Sequence, residues 1–351
     1  MPFKLMKFSS NIAAGLGSLS SLGEYFENLN LSRNAIIISG EVSYGLAGKT
    51  VSQSLQKAGF KVEEHIGRVE AAQRTADAFV SKLSSARGTK TAIVAVGGGS
   101  TIDVCKYVAK QLDVELVAIP TLLSSDAIAT GYSVLWENGK NTAVQTKMPS
   151  LIVGDYEILR NQPRRFVYAG VGDMLSKMTA LYDWRLAFWL GGEHYNDFAM
   201  NLARSTTELL QRRIKDISRL NYIGIEALFL AEVTDGYLME LSGTTRVAAG
   251  SEHLFTFALE TLEPEGLHGE YCALGTIIMS FLQSRDREDA KGYLQAVGVP
   301  TSASELNIKP ESIVKALTMA HRMRPWYTIL GHNGLTEGSA ERLARYTHVI
   351  P

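Results

Sequence analysis

Hydrophobic and polar positions divide the chain into two textures. In the first 160 residues, short apolar runs alternate with stretches of helical period. Runs at 35–39, 60–64, 92–97, 115–119 and 150–153 read as strands. The run at 35–39 is the first parallel strand. Helical stretches at 44–59, 71–86 and after Gly99 separate them. Apolar strands that alternate with helices predict a parallel sheet covered on both faces. Segments 132–136 and 142–146 flank Asn138-Gly139, a hairpin turn signal. The stretch 155–163 reads as a boundary. Beyond it helical periodicity dominates, with helices expected at 166–187, 194–214, 222–242, 252–261, 270–285 and 311–321. An α/β domain over 1–160 and an all-α domain over 161–351 follow.

The segment from Ala92 to Lys106 organises the first domain. An apolar run ends in Gly97-Gly98-Gly99, and Ile102, Val104, Cys105 and Val108 then recur at helical spacing. This reads as strand, tight turn and helix. Glycines let the backbone bend and let its N–H groups approach a ligand. The following helix points unpaired N–H groups and a positive dipole end at the same spot, where a phosphate can sit. The turn departs from G-x-G-x-x-G, because Thr101 and Ile102 stand where the last glycine belongs.

Composition narrows the function classes. At 351 residues and 46% hydrophobic, the chain can build two cores. A net charge of -1 with dispersed charges argues against a nucleic-acid surface or a polybasic membrane patch. Cys105 and Cys272 are far apart and neither belongs to a C-x-x-C, so a reducing compartment is expected. Residues 1–20 lack a long apolar run and no stretch approaches a membrane span, so a cytoplasmic protein is expected.

Three potential metal ligands stand in the helical half: Asp173 in Gly170-Val-Gly-Asp173, His253 in Gly250-Ser-Glu-His253, and His268 in Leu267-His-Gly-Glu270. One carboxylate and two imidazoles leave a fourth position open, the pattern of a catalytic zinc site. Their spacing matches no short metal motif, and by pattern alone a histidine beside glycine reads more often as a turn or surface residue.

Six motifs occur together and in order: Gly97-Gly-Gly-Ser-Thr-Ile-Asp-Val-Cys-Lys106, Pro120-Thr-Leu-Leu-Ser-Ser-Asp126, Ala169-Gly-Val-Gly-Asp173, Asp183-Trp-Arg-Leu-Ala187, Gly250-Ser-Glu-His253 and His268-Gly-Glu270. Together they resemble the iron-containing alcohol dehydrogenase and dehydroquinate synthase-like superfamily, in its glycerol-1-phosphate and glycerol dehydrogenase branch. The resemblance runs from Ala35 to the C-terminus. It implies a Rossmann-like parallel-sheet domain followed by an all-α, dehydroquinate synthase-like domain. It also implies that NAD or NADP lies in a cleft between the domains, with one divalent metal, usually zinc in these relatives.

By the same resemblance, Gly97, Gly98, Gly99, Ser100 and Thr101 would hold the cofactor pyrophosphate, and Asp103 would help fix that turn. Thr121, Ser124, Thr130, Tyr132 and Trp136 would line the nicotinamide and ribose side. Asp126 would hydrogen-bond a substrate hydroxyl; an Asx turn is the plain alternative. Asp173, His253 and His268 would bind the metal. A homo-oligomer acting on a small polyol, polyol phosphate or cyclitol is implied, with no nucleic-acid or membrane partner.

Several positions depart from that family. Phe257 and Ser125 replace histidines that glycerol-1-phosphate dehydrogenases carry near the substrate. Phe257 would line the substrate pocket. Lys177, one turn after Asp173, stands where those relatives have a small or amide residue. It reads either as a surface ion pair or as a cation beside the metal that binds a substrate anion or moves a proton. Gly40 occupies the position of the aspartate that NAD-strict relatives set at the end of the first strand, which leaves NAD and NADP both open. Arg246 and Arg324 are candidate phosphate or carboxylate binders, or else surface charges. The competing activity is a carbocycle-forming phosphate lyase. Such lyases use Glu as first ligand with Lys three residues later; here an Asp is followed by Lys at four.

Overall fold

The computed structural model describes residues 10–137, 140–283 and 287–351. The predicted turn at Asn138-Gly139 and the end of the predicted helix 270–285 lie outside them. The chain forms two compact units, the first ending at Gln162 and the second beginning at Pro163.

In the first unit, β1 (Asn11–Gly15), α1 (Leu22–Asn28) and β2 (Asn34–Ser39) come first. Helices α2 (Glu41–Ser43) and α3 (Lys49–Lys57) are joined by a π-helical turn, Tyr44–Gly48. Then follow β3 (Lys61–Ile66), α4 (Gln73–Lys82), β4 (Thr91–Gly97), α5 (Gly99–Leu112) and β5 (Glu115–Pro120). Strands β6 (Tyr132–Glu137), β7 (Lys140–Gln145) and β8 (Leu151–Asp155) and helix α6 (Tyr156–Arg160) complete the unit.

Six strands form one parallel sheet in the order β1-β8-β5-β4-β2-β3. The run at 35–39 is therefore the second strand, not the first. The missed edge strand β1 reads Asn-Ile-Ala-Ala-Gly, with too little apolar bulk to stand out. At the opposite edge, β3 carries Lys61, Glu63 and Glu64, charges that discourage pairing with another chain. One sheet face buries Ile37, Val94, Val96, Val117, Ile119 and Val153 against Leu22, Phe26, Val51 and Leu55. The hairpin β6–β7 is a separate antiparallel pair, with Tyr132 opposite Gln145.

From β2 the chain moves to β3 on one side and then to β4 on the other. The carboxyl ends of β2 and β4 thus flank the switch point, where open α/β sheets take ligands. Gly97 ends β4 at that place. Ser39 Oγ donates to the Val96 carbonyl at 2.9 Å and ties the two strand ends together.

Behind the glycine turn lies a fully buried lysine that sequence reasoning passed over. Lys106 Nζ is 2.7 Å from Asp103 Oδ1 and donates to the Ala127 carbonyl at 2.9 Å, to Thr130 Oγ1 at 3.0 Å and to the Tyr132 carbonyl. Asp103 Oδ2 accepts from the Val134 N–H at 3.1 Å. Burial pushes the Asp103 carboxyl up, against the pull of Lys106 and the Val134 N–H. The pair clamps α5 to the loop before β6 and to β6 itself. The contacts of Asp103 thus run to Lys106 and the hairpin.

The second unit is helical: α7 (Arg164–Leu175), α8 (Lys177–Gly191), α9 (Asp197–Ser218), α10 (Tyr222–Ser242), α11 (Ser251–Leu262), α12 (His268–Leu282), α13 (Arg287–Val297), α14 (Pro310–Met319) and α15 (Glu337–Tyr346). The helix expected over 166–187 is two helices. Ser176 Oγ donates to the Asp173 carbonyl at 2.6 Å, competing with the helix ladder where α7 ends. Helix α9 starts after Asn196, whose side chain caps it by accepting from the Ala199 N–H. Helices α1, α2, α6, α13 and α15 went unpredicted; α13 and α15 have low mean hydropathy and look like solvated segments.

The buried clamp yields the first prediction. Lys106→Met removes the ammonium and leaves Asp103 buried among uncompensated acceptors. Stability in urea should fall by about 3 kcal/mol or more, and Asp103→Asn added to it should recover part of that loss. A single-variant loss under about 1 kcal/mol would show that the pair does not hold the hairpin.

Candidate active site

The donors of the helical unit are assembled by a close approach of two helices. A Cβ on Gly269 would stand 1.7 Å from the Ala169 carbonyl oxygen, and one on Gly172 would stand 2.0 Å from the Gly269 carbonyl oxygen. Only glycines let α7 and α12 come this near. The neighbours of those glycines are Asp173 and His268, so the contact draws both side chains to one place. Helix α11 brings His253. Asp183 fixes the start of α11 by accepting from Ser251 N at 2.7 Å and Ser251 Oγ at 2.5 Å, and it also accepts from the Ile329 N–H. The Asp-Trp-Arg motif therefore acts on the site through Ser251.

One ligand atom each from Asp173, His253, His268 and Cys272 lies within 4.8 Å of all the others. His253 Nε2 is 3.5 Å from Asp173 Oδ1 and 3.7 Å from Cys272 Sγ. Each imidazole is held from behind by a carboxylate. Glu252 Oε1 is 2.9 Å from His253 Nδ1, and Glu260 Oε1 is 2.7 Å from His268 Nδ1. Glu252 is itself fixed by the Gly250 N–H at 2.7 Å and Thr179 Oγ1 at 2.8 Å. With both Nδ1 atoms engaged, each histidine turns Nε2 toward the shared centre. Outer carboxylates of this kind fix the tautomer and raise ligand basicity at metal sites. The donor set thus fits a divalent ion.

The electrostatics point the same way. Burial works against the charge on Asp173, but Lys177, the His253 hydrogen bond and both imidazoles hold its carboxyl well below the usual carboxylate range. Burial likewise opposes a charged His253 or His268. Cys272 with Asp173 and Glu252 for one, and Cys272 with Glu260 for the other, raise both well above the ordinary imidazole value. Burial pushes the Cys105 thiol up, whereas at Cys272 the two imidazoles overcome burial and bring the thiol down. Acidic groups and imidazoles thus compensate one another in the cluster, and a cation could take the place of the imidazole protons.

The other predicted residues find distinct places. Phe257 packs against both histidines, with ring centroids 5.9 Å from His253 and 6.1 Å from His268. The Arg324 guanidinium lies 5.0 Å from the Phe257 ring centroid and is partly exposed. Arg246 is neither a free anion binder nor a surface charge. It is buried, pairs with Glu193 at 3.1 Å and donates to the carbonyls of Ala249, Asp183 and Tyr327. Lys177 is not a surface pair. Its Nζ is 3.0 Å from Asp235 Oδ2, with both side chains almost fully buried, and it donates to the Asp173 carbonyl at 3.3 Å.

In the sheet unit, Gly97, Gly98 and Gly99 turn from β4 into α5, and no side chain caps that helix. A Cβ on Gly97 would meet Thr101 Oγ1 at 2.7 Å, so Thr101 fills the inside of the turn. Ser100 is exposed beside it. Thr121 N donates to the Gly97 carbonyl at 3.0 Å, and Thr121 Oγ1 lies 3.4 Å from Ser43 Oγ. Ser124 and Asp126 are half-buried in the next loop, where Asp126 opens a short 3-10 turn and the Ser125 hydroxyl caps it. Thr130 and Tyr132 meet Lys106 through a hydroxyl and a carbonyl, and Trp136 is largely exposed on the hairpin.

Residues 13–163 match the family described as iron-containing alcohol dehydrogenase. Over the whole chain, the glycerol-1-phosphate dehydrogenase [NAD(P)+] of Sulfolobus acidocaldarius is 38% identical, covering 99% of this chain and 98% of its own. The enzyme of the same name from Methanosarcina acetivorans is 36% identical over 99% of this chain and 97% of its own. The chain belongs to the glycerol-1-phosphate dehydrogenase family. As a family member it is an oxidoreductase acting on a CH–OH group, within the iron-containing alcohol dehydrogenases. The fold has solved counterparts. A probable glycerol dehydrogenase from Sinorhizobium meliloti superposes with a TM-score of 0.77 at 22% identity, covering 96% of each chain. Maleylacetate reductase from Agrobacterium tumefaciens gives 0.76 at 19% identity, covering 99% of this chain and 98% of its own. No described helix is long and apolar enough to cross a membrane.

Sequence reasoning missed Cys272, Glu252, Glu260 and Arg165. Cys272 follows His268 by four residues, the spacing that places two side chains on one helix face. Glu252 and Glu260 carry no such signal, since they become second-layer groups only once α11 and α12 pack. Arg165 Nε and Nη2 grip Glu270 at 2.7 and 2.8 Å, and Glu270 also accepts from the Leu267 N–H. That grip sets the direction in which α12 presents His268.

The helix contact is testable without substrate. Gly269→Ala drives a methyl into the Ala169 carbonyl, and overpacking of this kind costs about 1–3 kcal/mol or more. We expect a loss at the upper end together with weaker metal retention on dialysis. Gly292→Ala, on the exposed part of α13 with nothing within 4 Å, should instead stabilise by up to about 1 kcal/mol. Equal behaviour of the two variants would contradict the close-approach account.

Proposed function

We propose that the protein is a metal-dependent, NAD(P)-linked dehydrogenase that interconverts glycerol 1-phosphate and the corresponding ketone. One observation carries this reading: Asp173, His253 and His268 converge on one centre with both Nδ1 atoms already engaged by carboxylates. The names of its whole-chain relatives support the substrate and the cofactor pair. Asp173, His253 and His268 would hold a divalent ion, and imidazoles with a carboxylate suit zinc or iron(II). Such an ion acts as a Lewis acid toward an alcohol or carbonyl oxygen. The nicotinamide supplies or accepts the hydride, while the protein supplies position and charge.

The chain's own residues have the following roles in this reading. Lys177, held by Asp235, keeps Asp173 ionised and so in its donor form; it acts through Asp173 rather than by moving a proton. Phe257 shields one side of the two histidines from water. The Arg324 guanidinium stands against that ring and is the group for the substrate phosphate. In the sheet unit, the backbone from Gly97 to Thr101 at the uncapped start of α5 holds the cofactor pyrophosphate. Thr121, Ser124, Thr130, Tyr132 and Trp136 serve the nicotinamide and ribose side, and Asp126 a substrate hydroxyl. Gly40 after β2 offers no carboxylate to reject a 2′-phosphate, so both NADH and NADPH are expected to work.

The reading is tested by following NADH or NADPH absorbance with dihydroxyacetone phosphate and zinc. Net oxidation of the nicotinamide is expected, and His268→Ala should lose both metal and activity. Phosphate release without net oxidation would favour the carbocycle-forming lyase instead. For Arg324→Gln, KM for dihydroxyacetone phosphate should rise by about 10- to 100-fold, the scale of a lost hydrogen bond to a charged group. The same variant should leave dihydroxyacetone little affected. An equal change for both substrates would remove Arg324 from the phosphate site. Phe257→His should shift substrate preference more than stability.

A further inference from the structure

We propose that Cys272 is a fourth protein ligand of the metal ion, so that the centre is an aspartate, two histidines and a thiolate. This rests on the metal reading above and adds a donor that the Asp-His-His pattern lacks; the substrate oxygen would then enter as a fifth donor, an expansion that zinc allows. Cys272 Sγ belongs to the same 4.8 Å constellation as the other three donors. It lies 3.7 Å from His253 Nε2, the nitrogen left for an ion because Glu252 engages Nδ1. It projects from α12 one turn beyond His268, so a single helix offers both donors to one side. Thr256 Oγ1, 3.5 Å from Sγ, supplies a polar neighbour in an otherwise closed environment.

Cys272 is fully buried, and the other cysteine, Cys105, is also buried and free in the sheet unit. A disulfide within the chain is therefore not its purpose. A cysteine serving only to fill space would need no imidazole at either side. Binding replaces the thiol proton with the ion, and the proton leaves to solvent; no oxidant or reductant is involved. A thiolate donor is soft and selects zinc, cobalt or cadmium over magnesium or calcium. The site is then tuned to a thiophilic ion whatever the family is called.

The test is cobalt(II) substitution of the metal-stripped full chain, read by absorption rather than by turnover. Wild type should take up one cobalt per chain and show an intense thiolate-to-cobalt charge-transfer band in the near ultraviolet. Cys272→Val and Cys272→Ser should still bind one cobalt but lose that band. Cys105→Ser should keep it, which assigns the sulfur. Were Cys272→Val and Cys272→Ser not to fold, the wild type and Cys105→Ser comparison with zinc-edge X-ray absorption decides, since one sulfur scatterer is expected at the ion. One equivalent of cobalt bound without the band, or without sulfur at the edge, overturns the proposal and leaves the Asp-His-His site standing. Failure of wild type to bind any cobalt or zinc would instead overturn the metal reading itself.

Discussion

The helical unit depends on one steric contact, the seating of Gly269 against the backbone of Ala169 and Gly172. Two of the candidate donors sit next to it in sequence. Asp173 follows one glycine of the pair and His268 precedes the other. A methyl at either position would occupy space already filled by a carbonyl group. Close backbone packing thus fixes two candidate donors without using either side chain. The third donor arrives through a hydrogen bond, since Asp183 holds the first residue of α11 and so sets the reach of His253.

Charge then explains why the assembled groups suit a cation. Asp173, Glu252 and Cys272 are buried around His253, while His268 and its partner Glu260 are partly exposed at the edge of the cluster. Buried charge must be paired or must coordinate an ion. Lys177 meets part of that requirement from one side through Asp235 and Asp173, and Arg165 steadies Glu270 on the other. Each histidine keeps its second nitrogen for the centre only because a carboxylate occupies the first. The site is thus built in layers: a packing contact, a ring of carboxylates, and the donors themselves.

Much of this was legible in the sequence, for identifiable reasons. The apolar β-branched runs gave the sheet strands, and the triple glycine gave the turn into α5. The strand β1 stayed hidden because alanine and glycine carry no strand signal, and its pairing with β8 is decided by the rest of the sheet. Ser176 split one helical period into two helices, since a hydroxyl that bonds back to a carbonyl leaves the hydrophobic pattern intact. Asp173, His253 and His268 were recognisable from ordered motifs, though nothing in their spacing brings them together. The role of Lys106 was invisible for the opposite reason: a lysine on a helix reads as solvated, and only the packed hairpin encloses it.

The two units therefore contribute different physics to one oxidoreductase. The sheet unit offers backbone N–H groups at a topological switch point, suited to a dinucleotide phosphate. The helical unit offers a largely buried cluster of carboxylate, imidazole and thiol groups suited to a divalent ion. The most direct measurement of the central claim is a calorimetric titration of the metal-stripped protein with zinc. The account predicts saturable binding of one ion per chain that disappears in Asp173→Asn. Absence of a saturable site in the wild type, or unchanged binding in that variant, would contradict it.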